Sequence, residues 1–199
     1  MDFQIGKQIL ETLYKDVNGY AISTRARRKI CNADKAHTYG EVVPESFYQM
    51  MVRVSPIKGE VFYDLGSGTG KAVILASLFF EFSKCIGIET LEDLHKASRQ
   101  VLENYQHYAV VQREKRFIDF INTNFLEYDI FDGDIFFIHA TCFPDELMSQ
   151  LGKRLEFAKT GARVITVTKT FESDKFQSVD HHEYQMSWGK ATIYFYKKI

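Results

Sequence analysis

Cysteine and proline are scarce in this 199-residue chain, which has three of each. The cysteines, Cys31, Cys85 and Cys142, are odd in number and form no CxxC pair. A disulfide framework and a cysteine zinc site are therefore not indicated, and no metal is predicted. A reducing compartment fits this pattern, so we expect a cytoplasmic location, with a nuclear one as the alternative.

An excess of charge and a long apolar run are also missing. The formal net charge is −1, so contact with nucleic acid or an anionic membrane would need a local basic surface. The longest apolar run, 72–80, is too short to span a bilayer, and the first residues do not resemble a signal peptide. With 45% hydrophobic residues, the chain can form one α/β domain with a sizeable core. We expect a soluble, unprocessed monomer.

A glycine-rich turn is the most informative feature that is present. A β-rich run, 61–63, leads to Asp64, and Gly66, Gly68 and Gly70 follow at alternate positions before an apolar helical segment. Glycines at such a turn allow backbone amides to approach a ligand closely, beside the N-terminus of the next helix. The pattern predicts a ligand cradle, with a turn that binds nothing as the alternative.

Two common glycine motifs are excluded by spacing. A dinucleotide GxGxxG motif from Gly66 would need glycine where the chain has Lys71. A phosphate loop would need glycine at the position of Leu65 and a hydroxyl residue at that of Ala72. The remaining pattern, an acid followed by Gly-x-Gly-x-Gly, resembles motif I of class I methyltransferases that use S-adenosylmethionine (SAM).

A second acid supports a nucleoside site. Glu89 ends the predicted strand 84–89 and lies 19 positions after Gly70. In nucleotide-binding α/β folds, a carboxylate about 20 residues beyond the glycine turn accepts hydrogen bonds from the ribose hydroxyls. A solvated acid at a helix start is the alternative, since Glu92 and Asp93 stand close by.

Two further segments follow predicted strands. Asn124 and Phe125 come after strand 116–121, where an amide can contact the adenine edge and a ring can cover its face, although Phe125 could instead be core. The loop 139–143 follows strand 134–138, at the end of the sheet where α/β enzymes place substrate chemistry.

The order of elements predicts a Rossmann-like α/β fold of the class I methyltransferase type. It comprises a seven-stranded, mostly parallel sheet, an antiparallel C-terminal hairpin and a helical N-terminal segment. Helices are expected at 3–17, 45–54, 72–80, 91–112 and 144–158, with later strands at 163–168, 183–188 and 191–196. Residues 1–56 are predicted to form the N-terminal helical segment and lid loop, and 57–199 the single compact SAM-binding core.

A basic run, 23–29, interrupts the N-terminal segment. Three interpretations stay open: a solvated face, a contact for an acidic partner, and a contact for the carboxylate of SAM.

Several segments together resemble the non-SET histone lysine methyltransferases of the disruptor-of-telomeric-silencing family. The resemblance covers most of the chain, from about Tyr39 to Tyr196. The matching pieces are Thr38-Tyr-Gly-Glu41, Asp64-Leu-Gly-Ser-Gly-Thr-Gly70, Gly87-Ile-Glu89, Asn124-Phe-Leu126, the strand and loop 135–143, and Ser187-Trp-Gly-Lys190.

The resemblance implies a cofactor site for SAM, with S-adenosylhomocysteine as product. Tyr39 and Glu41 would close over the methionine part, Asp64 and the turn through Gly66, Ser67, Gly68 and Gly70 would hold the amino acid end, Glu89 the ribose, and Asn124 with Phe125 the adenine. Two positions depart from the family pattern. Asn124 stands where an aspartate is usual, and His139-Ala-Thr replaces an asparagine-rich loop. The basic tail by which family members grip nucleosomes is not in this sequence.

The implied reaction is methyl transfer to a protein lysine, with a histone or nucleosome among the candidate substrates. An apolar aromatic channel would help a lysine lose its proton, and Tyr39, Phe143, Trp188 and Tyr194 are the candidates for lining it. His139 is expected to replace the missing asparagine as a polar contact or proton acceptor, or else to be a structural histidine. Two other functions stay open: methylation of a small molecule or RNA, and SAM binding without turnover.

Overall fold

The computed structural model describes residues 1–29, 39–108 and 116–199. Its helices in these ranges are α1 (Phe3–Leu13), α2 (Gly19–Arg28), α3 (Pro44–Val54), α4 (Lys71–Phe79), α5 (Glu92–Gln106) and α6 (Asp145–Leu155). Its strands are β1 (Val61–Leu65), β2 (Lys84–Glu89), β3 (Phe117–Asn122), β4 (Ile135–Ile138), β5 (Arg163–Val167), β6 (Phe176–Met186) and β7 (Gly189–Lys198). None of the helices in these ranges has the length and apolar character needed to cross a membrane.

The seven strands form one sheet in the order β3-β2-β1-β4-β5-β7-β6. Strands β1 to β5 pair in parallel, and β7 runs antiparallel between β5 and β6. The predicted fold class, with its antiparallel end, is confirmed. Since parallel strands share one carboxyl edge, the residues after β1, β2, β3 and β4 come together there.

The sheet is covered on both faces because successive strand residues point in opposite directions. Phe62 of β1 lies in a buried cluster with residues of α1, α3, α4 and α5. Its neighbour Tyr63 lies in a second cluster, which includes residues of α6. The N-terminal helix α1 therefore packs into the same core as the sheet.

The N-terminal segment differs from its prediction. Helix α1 ends at Leu13 instead of continuing to residue 17, and a second helix, α2, was not predicted. Asn18 is the N-cap of α2, where its side chain accepts a hydrogen bond from Ala21 N at 3.0 Å. Asparagine followed by glycine is also typical of a turn, which explains why the helix was missed.

The C-terminal hairpin is longer than predicted, and its turn lies elsewhere. Met186 pairs with Gly189, so Ser187 and Trp188 form the turn. The predicted strands 183–188 and 191–196 leave residues 189 and 190 for the turn, which is wrong. Strand β6 is the edge strand, and its side chains between Phe176 and Met186 are mostly exposed or half-buried. Without an apolar pattern, its first half gave no strand signal. The predicted end of α5 at 109–112 lies outside the described residues, as do Cys31 and Thr38.

Candidate active site

The glycine turn has a backbone shape that requires glycine. Gly66, Gly68 and Gly70 have φ values of +87°, +56° and +83°, a left-handed region that other residues enter at a cost. The turn is anchored to β2, because Gly66 N and Ser67 N both donate to Ile88 O, at 2.9 and 3.0 Å. The loop is therefore fixed to the strand that carries Glu89.

Glu89 is the anchor at the tip of β2. It is 8% exposed, and its two carboxylate oxygens accept from Gly68 N and Leu91 N, each at 2.8 Å. The sequence-level alternative of a solvated acid at a helix start does not describe this buried group. Glu89 also lines the cavity, where its carboxylate can face a ligand.

Asp64 supplies a second buried carboxylate at the end of β1. Its side chain lines the cavity and is 3% exposed. Burial, with the nearby charge of Glu89 as the second cause, raises the pKa of Asp64 well above its usual value. A positively charged ligand in the cavity would offset this repulsion.

Tyr39 is held between two stretches of backbone. A Cβ atom added at Gly68 would lie 2.5 Å from the Tyr39 ring, and one at Gly19 only 2.4 Å from it. The Tyr39 hydroxyl donates to Glu41 at 2.6 Å and lies 2.8 Å from Thr69 Oγ1. Burial and then the charge of Glu41 raise the pKa of Tyr39 well above its ordinary value, so the phenol keeps its proton.

The segment 39–42, here called the lid, is also tied to the C-terminal hairpin. Ser187 N donates to Glu41 O at 3.2 Å, and Val42 forms an isolated antiparallel bridge with Met186. The lid therefore spans the gap between the glycine turn and the β6–β7 hairpin.

Asn124 and Phe125 lie where the third strand ends, and both line the cavity. Phe125 is 6% exposed and stacks on Phe143, with ring centroids 5.8 Å apart and an interplanar angle of 21°. The side chain of Asn124 accepts from Leu126 N at 3.0 Å, which holds its amide in place. The sequence also allowed Phe125 to be a core residue, and this is partly right. Its ring belongs to a buried hydrophobic cluster as well as to the cavity wall.

His139 also lines the cavity. Its ring centroid lies 4.6 Å from that of Trp188, and a Cβ atom at Gly40 would lie 2.8 Å from His139 Cε1. Its Nε2 is buried and has no hydrogen-bond partner among the described residues. Burial lowers the pKa of His139 to about 4, so the ring is neutral at physiological pH.

These side chains enclose one cavity of about 240 Å³. Two of the residues predicted to belong to the site, Tyr194 and Gly70, do not line this cavity, and neither does Trp188, whereas the other predicted site residues do. Tyr194 stacks on His181, with ring centroids 6.0 Å apart, because the two residues are paired across β6 and β7 and share one face of the sheet. Gly70 instead acts through its backbone as the N-cap of α4, and Phe120 fills the space beside it.

The comparison with protein families agrees with this geometry. The model of the family described as histone methylation protein DOT1 matches residues 21–196. The chain belongs to the DOT1 family. The family predicted from the sequence is thereby confirmed, and helix α1 of this DOT1-family chain lies before the matched region.

Individual relatives share modest identity. The H3 lysine-79 specific histone-lysine N-methyltransferase of Candida albicans is 26% identical over 96% of this chain, which corresponds to 15% of that protein's length. A protein-lysine N-methyltransferase of Saccharolobus islandicus is 26% identical over 62% of this chain and 71% of its own. A crystallised RNA methyltransferase from Salinibacter ruber, 20% identical, has a TM-score of 0.58 over 76% of this chain and 89% of its own, which supports the fold alone.

Three residues of this DOT1-family site were not singled out from the sequence. Lys71 lines the cavity and forms an ion pair with Glu41. From the sequence alone, it served only to exclude a dinucleotide-binding motif. Thr69 and Tyr14 complete its surroundings. The position of Lys71, directly after the last glycine, could have marked it as a cavity residue.

The basic run 23–29 does not supply the cavity with a cation. Its residues are absent from the cavity lining, and Lys29 pairs instead with Asp93 at 2.6 Å. Of the three interpretations left open, contact with the SAM carboxylate thus loses its support.

Proposed function

We propose that this chain is a SAM-dependent methyltransferase whose acceptor is a lysine side chain of a protein. One observation carries the proposal: the glycine turn, the buried carboxylates of Asp64 and Glu89, and the lid converge on one cavity at the carboxyl edge of a DOT1-family sheet. The lysine acceptor follows from the names of the relatives, which are histone-lysine or protein-lysine methyltransferases.

The charges of the cavity fit SAM. Its lining includes the carboxyl groups of Glu41, Asp64 and Glu89 and the ammonium group of Lys71. SAM has two positive groups, the sulfonium and the ammonium, and one carboxylate, so a mostly acidic cavity with one cation complements it. Ser67 Oγ, buried without a partner among the described residues, offers a further polar contact.

Each part of the cofactor has a residue suited to it. Glu89 is assigned to the ribose hydroxyls and Phe125 to the adenine face, with Asn124 at the adenine edge. Asp64 and the amides of the glycine turn are assigned to the amino acid end, which Tyr39 and Glu41 cover. Like the boundary between the N-terminal segment 1–56 and the core 57–199, these assignments are proposals.

The protein's own contribution is positioning, exclusion of water and preparation of the acceptor. Bound SAM supplies an electrophilic methyl group on its sulfonium. Phe143, Tyr39 and the nearby Trp188 provide aromatic surroundings in which a lysine ammonium, with an ordinary pKa of about 10.4, is disfavoured relative to the neutral amine. Tyr194, outside the cavity, is not retained in this role.

His139 is proposed as a polar contact for the acceptor. A ring with a pKa of about 4 holds a proton too weakly to accept one from a lysine ammonium efficiently. A neutral ring can still form a hydrogen bond through Nε2, which has no partner among the described residues. Of the two active roles predicted for His139, the hydrogen-bonding one is therefore favoured.

A histone is the first acceptor to test, because several relatives are named for histone H3 lysine 79. With a histone acceptor, a nuclear location is proposed over the cytoplasmic one expected from the cysteines. Since the chain spans only 15% of the length of the Candida albicans relative, its substrate needs an independent test.

The test is transfer of radiolabelled methyl from SAM to core histones, nucleosomes, total RNA and a whole-cell lysate, side by side. We expect label on protein, and loss of that label in the Glu89→Ala variant. Label on a non-histone protein would retain lysine methylation and discard the histone. Label confined to RNA or small molecules would contradict the proposal, as would failure of the wild-type protein to bind S-adenosylhomocysteine in isothermal titration.

A further inference from the structure

Helix α1 contributes a side chain to the glycine turn. Tyr14, its C-cap residue, donates a hydrogen bond from its hydroxyl to Thr69 O at 3.0 Å. Burial, followed by the charges of Glu41 and Asp64, raises the pKa of Tyr14 well above its ordinary value, so this donor keeps its proton. Tyr14 precedes residues 21–196, the region matched by the family model.

The ring of Tyr14 also supports Lys71. The Lys71 ammonium lies over this ring, 5.1 Å from its centroid, and it forms an ion pair with Glu41 on the lid. The side chains of Lys71 and Glu41 are only 20% and 15% exposed. A partly desolvated ammonium gains more from an aromatic face than an exposed one does, so Tyr14 limits the positions that Lys71 can adopt.

These contacts close into a ring of five residues. The hydroxyl of Tyr14 donates to the carbonyl oxygen of Thr69, and the hydroxyl of Thr69 contacts that of Tyr39. The hydroxyl of Tyr39 donates to Glu41. Glu41 pairs with Lys71, and Lys71 returns to Tyr14. The ring links the end of α1, the glycine turn, the lid and the start of α4. A substitution of one member is therefore expected to shift the positions of the other side chains.

Lys71 is the member of this ring that can contact a ligand carboxylate in the cavity. Among the described residues that line the cavity, Lys71 is the one lysine or arginine, and the lining also includes the carboxyl groups of Glu41, Asp64 and Glu89. A ligand carboxylate entering this end would be repelled by Glu41 unless Lys71 faced it.

We propose that Tyr14 is a positioning residue of the cofactor site, which holds Lys71 as the cationic contact for the carboxylate of SAM. This inference rests on the proposed function, because it concerns the same cavity. It makes helix α1 a working part of the cofactor site. It also predicts that Tyr14 matters only for ligands that carry the amino acid end.

The experiment compares two ligands by isothermal titration: S-adenosylhomocysteine, which has the amino acid end, and 5′-methylthioadenosine, which lacks it. Tyr14→Phe removes the hydroxyl and keeps the ring, so we expect binding of S-adenosylhomocysteine to weaken about three- to tenfold. Tyr14→Leu also removes the aromatic face and should weaken it about ten- to thirtyfold. Binding of 5′-methylthioadenosine should stay within twofold of wild type in both variants.

Tyr63 offers a matched control. Its hydroxyl donates to Asp132 at 2.7 Å, and Lys84 lies over its ring at 5.3 Å, but Tyr63 is not part of the cavity lining. Tyr63→Phe removes the same group from a similar setting, so it should lower the unfolding temperature without changing the affinity for either ligand.

A double variant tests the assigned route through Lys71. In the Lys71→Met background, Tyr14→Leu should cause much less further loss of affinity for S-adenosylhomocysteine than it does in wild type, because the group it positions is gone.

Three results would overturn the inference while wild-type binding of S-adenosylhomocysteine keeps the proposed function intact. The first is equal weakening of both ligands by Tyr14→Phe. The second is a loss no larger than that caused by Tyr63→Phe, and the third is full additivity in the double variant. If Tyr14→Leu does not fold, Tyr14→Phe decides the question alone. Absence of wild-type binding would instead remove the proposed function itself.

Discussion

The two halves of the cavity differ in how complete they are. On the cofactor side, Glu89 already accepts from two backbone amides, and the hydroxyl of Tyr39 has two partners. On the acceptor side, His139 Nε2 has no partner among the described residues, and the neighbouring Trp188 is 40% exposed. The first half is a polar network in which Ser67 Oγ lacks a partner among the described residues, whereas the second half ends in an unpartnered ring nitrogen and an exposed ring.

This difference indicates what each half does before substrate arrives. Buried polar groups in native proteins are nearly always hydrogen-bonded, so an orphaned one marks a place where a partner is missing. We therefore expect the cofactor half to be largely preorganised, with Ser67 Oγ left for the ligand, and the acceptor half to be completed by the substrate. Substitutions on the two sides should consequently separate cofactor affinity from turnover.

The largest expected effect is on the cofactor side, at Glu89. Glu89→Ala removes the carboxylate that holds Gly68 N and Leu91 N and that we assign to the ribose. Hydrogen bonds to a charged group contribute about 1.5–3 kcal/mol each, so affinity for S-adenosylhomocysteine should fall about 100-fold or more in isothermal titration. The control is Glu92→Ala, an exposed acid on α5 paired with Lys96, which should leave affinity within twofold. A loss below threefold for Glu89→Ala would place the ribose elsewhere.

The next effect concerns the close approach of Tyr39 to the glycine turn. Gly68→Ala adds a Cβ atom 2.5 Å from the Tyr39 ring at a positive φ, so the lid must shift, and we expect affinity for S-adenosylhomocysteine to fall about 10- to 50-fold. Gly161→Ala is the control, because its φ is +84° and nothing lies within 4 Å. Both variants should lose about 1–2 kcal/mol of unfolding free energy. Equal affinity in the two would show that the lid is not part of the site.

A smaller effect is expected on the acceptor side. His139→Ala should lower kcat on the protein substrate about tenfold while affinity for S-adenosylhomocysteine stays within twofold, because the lost hydrogen bond concerns the acceptor alone. His139→Asn provides the amide that the family pattern has in this loop, and it should recover most of the rate. Unchanged turnover of His139→Ala across pH 6 to 9 would reduce His139 to a structural residue.

The smallest effect is a change in stability with pH. The pKa of His139 is about 4 when folded and about 6.5 in an unfolded chain, so on acidification the unfolded state takes up the proton first. Wild type should therefore lose stability as the pH falls from about 6.5 to about 4. Relative to His139→Asn, the loss from this group between pH 7 and pH 6 should be about 0.7 kcal/mol by chemical denaturation. Parallel curves for the two proteins would show that the ring is not buried as described.

Most of the fold was predictable because its signals are local. Buried parallel strands such as β1 and β2 are short apolar runs bounded by turn residues, and the glycine turn has a spacing that few motifs share. The exposed strand β6 and the helix α2, with its basic residues, lack such patterns. Their conformations depend on tertiary contacts with β7 and α5, which single-sequence reasoning does not supply.

The site was predictable where residues follow strands and unpredictable where distant segments meet. Asp64, Glu89 and Phe125 each follow or end a strand, so the topology alone brings them together. Tyr14 reaches the glycine turn from helix α1, 55 positions earlier in the chain than Thr69. The predicted role of Tyr194 in the channel was wrong for a related reason. The side of the sheet that its side chain faces depends on the register of the hairpin.

The most direct test of the central claim is the chemical identity of the methylated product. After methyl transfer from labelled SAM, the modified protein is hydrolysed and its labelled amino acids are separated, with the Glu89→Ala enzyme run in parallel. We expect Nε-methylated lysine from the wild-type enzyme and none from the variant. Label on arginine or histidine, or label found only in RNA, would contradict it.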